Sequence, residues 1–478
     1  MSDLLKASTW SILTEIVAKV ISPISFLVLT KILAPEDFGI VAVATTFISF
    51  VQIITDLGVS KVIIQNSVDE EDYKFRLNNT CFWFNFILGS LIFVFTIAFS
   101  TKIASFFGNA SAGLIVKVMA LQIIFFSLSS IQNANLKKKL NFKFLFFTRL
   151  VTIAMPLFVA IPLALLGGGY WALVIATVVG AFLNTVILWL YSSWKPKLLF
   201  DIDILKDVLN KSIWSSFDEI IVWIPIGLDT YLIGNYLNSR DLGVYTTSRT
   251  LFSAAIAITL GAILPVLYSH LARIQNNQKE FVSTVLFAQK IMYLLAGTMG
   301  LGVFLMSDFI ERIFFNDSWK GISEILGIVF LVMSNGYFYS VLQEALRSKG
   351  FFRELFLVKF FSMFLIVPIL FVAVNYDIYV YSLLRGLSLY TWIFGVFYFS
   401  RTKIGIGFYD LLRNSKGLLI IMFFTITLAL IVDKLIQNSG VYFDVSVIKV
   451  LLFVLALIFI FFTEKSTFLK IKKIILKR

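Results

Sequence analysis

The sequence predicts an all-α, polytopic membrane protein with 14 transmembrane helices, arranged as two duplicated six-helix lobes plus two extra C-terminal helices. Three observations predict it. Hydrophobic residues make up 59% of the 478 and charged residues only 14%, where a soluble domain carries about 25% charged. The 51 Phe and the other apolar residues fall in long runs, with only 8 Pro and a mean hydropathy of +0.90. Lysine and arginine gather between those runs. The composition excludes a soluble globule, a disordered chain, collagen and a coiled coil.

A helix needs about 20 apolar residues to cross the hydrocarbon. In chain order, such runs cover Trp10–Leu33, Phe38–Val59, Thr80–Ser100, Ala112–Gln132, Leu150–Leu166, Tyr170–Tyr191, Ile213–Tyr236, Leu242–Ser269, Phe281–Met306, Ile322–Val341, Leu355–Val374, Ile378–Phe399, Gly417–Ile431 and Val445–Phe462. The first continues past Pro23 without a small-residue cleavage site and is expected as an uncleaved span, not a signal peptide. Spans one to six form an N-lobe over 1–205 and spans seven to twelve a C-lobe over 206–400. Residues 401–478 hold the last two spans and a basic tail.

Charge orients the spans. The net charge is +13, from 41 Lys+Arg against 28 Asp+Glu. With the N-terminus placed in the cytoplasm, 29 basic residues fall in the inner segments and 6 in the outer ones, and the other 6 lie within spans or at their edges. Cytoplasmic loops concentrate Lys and Arg, so both termini are expected in the cytoplasm of a multi-pass protein of the cytoplasmic (inner) membrane. The basic excess is read as a topology signal, not as nucleic-acid binding. Outer loops are short. Two inner stretches stand out: Asn135–Leu150 mixes Lys with Phe and Leu as an interfacial amphipathic helix would, and Ser193–Ser212 reads as a long link between halves. The tail Glu464–Arg478 alternates Lys with Ile and Leu and is expected to lie on anionic lipids of the inner leaflet.

Shifting the chain by 204 residues superposes Ser8, Trp10, Ser11, Glu15 and Ile16 on Ser212, Trp214, Ser215, Glu219 and Ile220. Leu33, Asp37 and Gly39 then fall on Leu237, Asp241 and Gly243. A fainter echo pairs Ser129, Gln132 and Ala134 with Ser340, Gln343 and Ala345. Repeats of six spans keep their orientation, so parallel lobes related by an axis along the membrane normal are expected, with a cavity between them.

Polar residues inside the spans fall on stripes. At about 100° per residue, Ser11, Thr14, Glu15, Lys19, Ser22 and Ser25 share an arc of roughly 140° on span one. Thr45, Ser49, Gln52 and Asp56 line span two, and Ser212, Ser215, Asp218, Glu219 and Asp229 line span seven; in span eight, Arg249 and Ser253 are the copies of Thr45 and Ser49. An ionised group at the centre of a span costs about 2.5–3.5 kcal/mol on insertion scales, so such residues face a watery cavity or a partner. Glu15 and Lys19 are also spaced for a local ion pair. Arg249 and Arg385 have no acid at helical spacing; they are expected either to contact an anion in the cavity or to bridge the lobes. Pro23 and Pro225 interrupt backbone hydrogen bonding within spans one and seven, as hinges or plain kinks. Gly261, Gly297, Gly300 and Gly302 are expected to permit close helix packing.

Catalytic chemistry lacks parts. Cys81 and His270 are the single Cys and His, which leaves no disulfide, His-based metal site or conventional triad. No GxxxxGK[ST] phosphate loop is present. The expectation is a transporter with no cofactor and no bound metal, not an enzyme.

Residues 33–42, LAPEDFGIVA, with Asp56-Leu57-Gly58, Ile63-Ile64-Gln65 and the repeat Leu237-Asn238-Ser239-Arg240-Asp241-Leu242-Gly243-Val244-Tyr245, resemble the lipid-linked oligosaccharide flippases of the multidrug/oligosaccharidyl-lipid/polysaccharide exporter superfamily, in the Wzx and WzxC-like branch. The resemblance implies two six-helix lobes around an alternating-access cavity. The implied substrate is an oligosaccharide unit on an undecaprenyl-pyrophosphate carrier, exported for a cell-surface polysaccharide such as O-antigen or exopolysaccharide. Lys19, Arg249 and Arg385 then occupy positions suited to the pyrophosphate and anionic sugars, with Ser11, Ser22, Ser49, Gln52, Ser215 and Ser253 beside them. With no ATP loop, an H+ or Na+ gradient is the expected drive, and Glu15, Asp56, Asp218, Glu219 and Asp229 are the candidate ion sites. Membrane lipids, a polysaccharide polymerase and glycosyltransferases are the other expected partners. The nearest rival is an ion-coupled multidrug or organic-cation antiporter of the same superfamily, which the acids of span seven would suit. A membrane-bound glycosyltransferase or polymerase needs a larger outer loop than any present here.

Overall fold

A computed structural model describes residues 2–66, 68, 70–261, 263–439 and 445–476, without the side chains of 2–9, 11–16, 20, 214, 436–439, 471 and 473–476. The described chain is all-α. Eleven of its helical segments are long and apolar enough to cross a membrane, or twelve if one bent pair counts as a single span. In a bilayer each backbone polar group must be satisfied within its own segment, which helices achieve. The chain is a multi-pass membrane protein, packed as two units, Met1–Thr246 and Thr247–Arg478.

The first unit holds α1 (Ser2–Ile32), α2 (Pro35–Asp56), α3 (Val59–Gln65), α4 (Glu71–Phe106), α5 (Gly113–Met119), α6 (Leu121–Lys138), α7 (Phe142–Met155), α8 (Ile161–Leu165), α9 (Tyr170–Tyr191), α10 (Ile202–Tyr236) and the start of α11 (Ser239–Thr259). The spans predicted at Trp10–Leu33 and Ile213–Tyr236 fall on α1 and α10, which stand outside the count of eleven. On α10 the acids Asp218, Glu219 and Asp229 interrupt the apolar run. A core of Val59, Ile63, Leu77, Cys81, Phe82 and Ile131 joins α3, α4 and α6. Polar residues within it bond across helices, as they must away from water: Asn85 donates to Ser130 Oγ at 2.8 Å, and Trp189 on α9 donates to the Leu128 carbonyl at 2.8 Å. Helix α1 runs along α7, with Trp10 packed on Phe146 and Phe147.

The stretch Asn135–Leu150 is not a separate interfacial helix. It comprises the end of α6, a tight turn in which Leu140 adopts φ 55°, and the first half of α7. The turn folds the basic cluster back onto the next span before an independent surface helix can form. The link Ser193–Ser212 is tied to α4: Trp83 donates to the Lys197 carbonyl at 2.7 Å and Asp201 pairs with Arg76. The Ile204 backbone N–H, with help from Arg76, holds the Asp201 carboxyl below the ordinary carboxylate range, so Asp201 caps α10 as an anion.

The second unit contains the rest of α11, then α12 (Ile263–Arg273), α13 (Gln278–Phe314), α14 (Ile322–Asn335), α15 (Ser340–Ser348), α16 (Phe352–Ala373), α17 (Ile378–Ser388), α18 (Thr391–Lys403), α19 (Phe408–Ser439), α20 (Val445–Thr463) and α21 (Lys465–Leu476). Helix α13 organises it. A Cβ on Gly300 would lie 2.6 Å from Ser334 Cβ on α14, and one on Gly302 would lie 2.7 Å from the Phe453 ring on α20, so these glycines do serve close packing. Lys449 on α20 meets Asp308 and Asp433 at 3.0 Å each. The tail helix α21 is anchored by protein at its start, where buried Glu464 pairs with Lys290 at 2.7 Å and Phe468 packs on Phe461.

Candidate functional site

The two turns related by the 204-residue shift are built alike. At the start of α2, the Asp37 carboxylate accepts the Ala34 backbone N–H at 3.0 Å, half of a capping box. At the start of α11, Asn238 Oδ1 accepts the Asp241 backbone N–H at 2.9 Å and Asn238 Nδ2 donates to Asp241 Oδ2 at 2.8 Å. Both acids also complement the positive end of their helix. The two helix starts then meet through glycine. A Cβ on Gly39 would lie 1.9 Å from the Ser239 carbonyl oxygen, and one on Gly243 would lie 1.8 Å from the Pro35 carbonyl oxygen. Residues 35 and 239, like 39 and 243, are 204 apart, so each copy presses a carbonyl onto the other's glycine. Glu36 and Arg240, also 204 apart, approach to 3.9 Å. Equivalent residues touching each other is what a local twofold contact produces.

From this turn α10 follows α2 and α4 along the seam. A second glycine pair brings backbones together: a Cβ on Gly108 would meet the Gly234 carbonyl oxygen at 2.0 Å, and one on Gly234 the Phe107 carbonyl oxygen at 2.1 Å. Asn235 donates to the Phe106 carbonyl at 2.8 Å. Midway, buried Thr46 and Thr230 share a hydrogen bond of 3.0 Å, and Trp223 donates its indole N–H to Ser49 Oγ at 3.0 Å while its ring packs 4.5 Å from Phe50. At the far end Glu219 and Lys61 pair at 2.6 Å. Those two side chains are 40% and 46% exposed, so the pair is worth no more than about 1 kcal/mol. Backbone contact and one tryptophan hold this seam, and its half-exposed ion pairs at either end add little.

The seam gathers several of the residues singled out from sequence. Ser49 accepts from Trp223. Ser215 donates to the Ser212 carbonyl at 2.8 Å beside Gly58. Asp56 accepts from Ser60 at 2.5 Å, Glu219 pairs with Lys61, and buried Asp229 accepts from Tyr245 at 3.1 Å. Gln52 and Lys19 are half-buried, while Ser22 and Asp218 are exposed. Ser11 and Glu15 lie outside the described side chains. In the second unit, Arg249 is half-buried and Ser253 exposed, one turn apart on α11. Arg385 is buried on α17, 3.4 Å from Ser388 Oγ. Sequence reasoning missed Trp223, Lys61 and the contact between Gly39 and Gly243. The 204-residue shift, which already paired 39 with 243, was the available signal for the last of these.

Comparison with known proteins agrees with this architecture. The family described as "Polysaccharide biosynthesis protein" matches residues 28–324, more than half of the chain. The chain is 22% identical over 327 residues to the succinoglycan biosynthesis transport protein ExoT of Rhizobium meliloti (strain 1021), covering 68% of this chain and 65% of that one. It is 20% identical over 374 residues to the lipopolysaccharide biosynthesis protein WzxC of Escherichia coli (strain K12), covering 76% and 74%. Its fold is similar to that of a solved structure described as the lipid II flippase MurJ in an inward closed conformation: TM-score 0.74, 15% identity, 97% of this chain and 99% of that one covered. The helical fold is consistent with this match, and the family model, which covers more than half of the chain, makes the assignment: the chain belongs to the polysaccharide biosynthesis protein family.

Proposed function

We propose that the protein is a flippase that carries an oligosaccharide unit on an undecaprenyl-pyrophosphate carrier from the cytoplasmic to the outer leaflet of the cytoplasmic membrane, by alternating access. The reciprocal contact of Gly39 and Gly243 with Ser239 and Pro35 carries this reading. A seam formed by two copies of one turn can part as a unit and leave the helix bundles intact, which is the requirement for rigid-body switching. The moving bodies are the lobes 1–205 and 206–400, with 401–478 completing a set of 14 transmembrane helices. With both termini in the cytoplasm, as the 29-to-6 division of basic residues favours, the Glu36/Arg240 turn lies at the outer face and the Lys61/Glu219 pair at the inner one.

The substrate explains the polar stripes. A sugar–pyrophosphate headgroup crossing hydrocarbon alone loses many hydrogen bonds at several kcal/mol each, so polar side chains must replace water while the polyprenyl tail stays in lipid. Lys19, Arg249 and Arg385 are the proposed pyrophosphate contacts, and Ser11, Ser22, Ser49, Gln52, Ser215 and Ser253 the sugar contacts. Ser49, bonded across the seam by Trp223, becomes available when α10 leaves α2, and Ser215, packed beside Gly58, is uncovered by the same separation. Replacing Lys19 and Arg249 together by alanine is expected to lower polysaccharide export at least about tenfold at unchanged membrane abundance, since each lost hydrogen bond to a charged group is worth about 1.5–3 kcal/mol. Full export by this variant would reject their role.

An H+ or Na+ gradient supplies the direction, with Glu15, Asp56, Asp218, Glu219 and Asp229 as the proposed ion sites. Transport in vesicles is expected to change when a pH or sodium gradient is imposed. Indifference to both gradients would remove the coupling step and leave the substrate reading standing.

A further inference from the structure

A cleft of about 710 Å³ opens in the first unit, away from the α2/α10 seam, where the beginning of α4, the end of α6 and the end of α9 come together. Its lining combines positive charge with unused hydrogen-bonding capacity. Among the described lining residues, Lys74, Lys138 and Lys139 contribute three ammonium groups and Glu71 one carboxylate, which lies 3.6 Å from Lys74 and is itself 94% exposed. Gln132, 1% exposed, also lines the cleft. Among the described residues neither its amide nitrogen nor its amide oxygen has a hydrogen-bond partner, and the same holds for the buried indole N–H of Trp194, another lining residue.

Leaving a buried amide and an indole N–H unpaired costs about 1–3 kcal/mol for each group, and it persists in native structures mainly where a ligand or water completes the set. Two of the unpaired atoms are donors, and they share the cleft with a net excess of cations. That combination suits an anionic oxygen-rich group, above all a phosphate.

The setting selects the source of the phosphate. All three helices reach the cleft at the ends of membrane-crossing segments, Glu71–Phe106, Ala110–Lys138 and Tyr170–Tyr191, so it sits at headgroup depth. Its rim is apolar and uncovered: Tyr191 lines it and is exposed, and Leu190 next to Tyr191 is 82% exposed. A soluble phosphate compound gains nothing from that apolar rim, whereas acyl chains do. Basic pockets between helix ends recognise acidic headgroups in this way, and the volume lies within the range of sites that enclose a small organic group.

We infer that this cleft is a binding site for the phosphodiester headgroup of an acidic phospholipid, with Gln132 and Trp194 as its buried donors and Lys74, Lys138 and Lys139 as its counter-charges. The site is separate from the proposed transport route and binds a lipid of the bilayer, not the cargo.

Native mass spectrometry of the full chain in neutral detergent tests the inference, with phosphatidylglycerol and phosphatidylcholine titrated in parallel. Phosphatidylglycerol is expected to remain bound at least about tenfold more tightly. Lys138→Gln with Lys139→Gln is expected to reduce that preference by roughly tenfold or more, and Gln132→Leu, which keeps size and burial, to weaken the same adduct. Millimolar inorganic phosphate is expected to leave the adduct in place. Equal retention of the two lipids, retention unchanged in both variants, or displacement by inorganic phosphate would each overturn the assignment. Should the variants fail to fold, photoreactive phosphatidylglycerol added to the unaltered protein decides the matter: cross-links concentrated at 132–141 and 191–194 support the site, and cross-links spread evenly around the bundle overturn it.

Discussion

Gly243→Val, or Gly39→Val, is expected to abolish most polysaccharide export while the protein still reaches the membrane. The reason is steric. Each substitution puts carbon within 1.9 Å of a carbonyl oxygen, and restoring an ordinary contact distance requires the starts of α2 and α11 to separate by roughly 1.5 Å. Overpacking of this kind costs about 1–3 kcal/mol, which moves a two-state equilibrium by about fivefold to 150-fold. The closed seam becomes a minor state, and a carrier that cannot populate one of its two states does not turn over. Because the contact is reciprocal, the two single variants should resemble each other and the double variant should add little. Gly336→Val serves as the control for losing a glycine without a backbone clash: its φ is −59°, neither Gly39 nor Gly243 has a positive φ either, and a Cβ there would meet only Tyr339 Oη, at 4.0 Å. Export equal to the unaltered protein in both seam variants would remove the seam from the mechanism.

Trp223→Ala is expected to weaken the same state from the middle of the seam. The change removes the indole hydrogen bond to Ser49 and the packing against Phe50, and opens the space that now forbids a Cβ on Gly227, whose ideal position lies 2.3 Å from the Trp223 ring. Full burial of Trp is worth about 3–5 kcal/mol to truncation; for a half-buried ring, about 2 kcal/mol is expected. Within a membrane that loss is one of contact and hydrogen bonding, since lipid tails are as apolar as the protein interior. The midpoint of thermal unfolding in detergent should fall, and Trp223→Phe should recover most of the packing but not the bond to Ser49. A midpoint unchanged in Trp223→Ala would show that the ring contributes nothing to the closed seam.

The spans were legible because lipid imposes a length and a polarity on any crossing segment. Phe352–Ala373 and Val445–Thr463 could hardly be read otherwise. The polar stripes were legible from helical periodicity, which placed Ser49 and Asp56 on one face of α2 and Glu219 and Asp229 among the polar residues of α10. Partners were not legible, because a period says which way a side chain points and nothing of what it meets. Lys61 was counted as a topology signal and is also the counter-ion of Glu219. Gln132 was noted only as half of a faint repeat, and its missing hydrogen bonds emerge only when α4, α6 and α9 are seen together. The turn after α6 escaped for a local reason: Leu140 takes a left-handed conformation that a non-glycine residue rarely adopts, so an amphipathic helix was expected where the chain reverses.

Cysteines at Glu36 and Arg240, introduced in place of the native pair and joined by a short reversible cross-linker, address the central proposition that the duplicated turns must part for cargo to cross. Both native side chains are nearly half exposed, and the native Cys81 is buried away from the reagent. Cross-linking is predicted to stop export and reduction to restore it, with the uncross-linked double variant close to normal. Export continuing at its full rate while the two positions are held together would contradict the account.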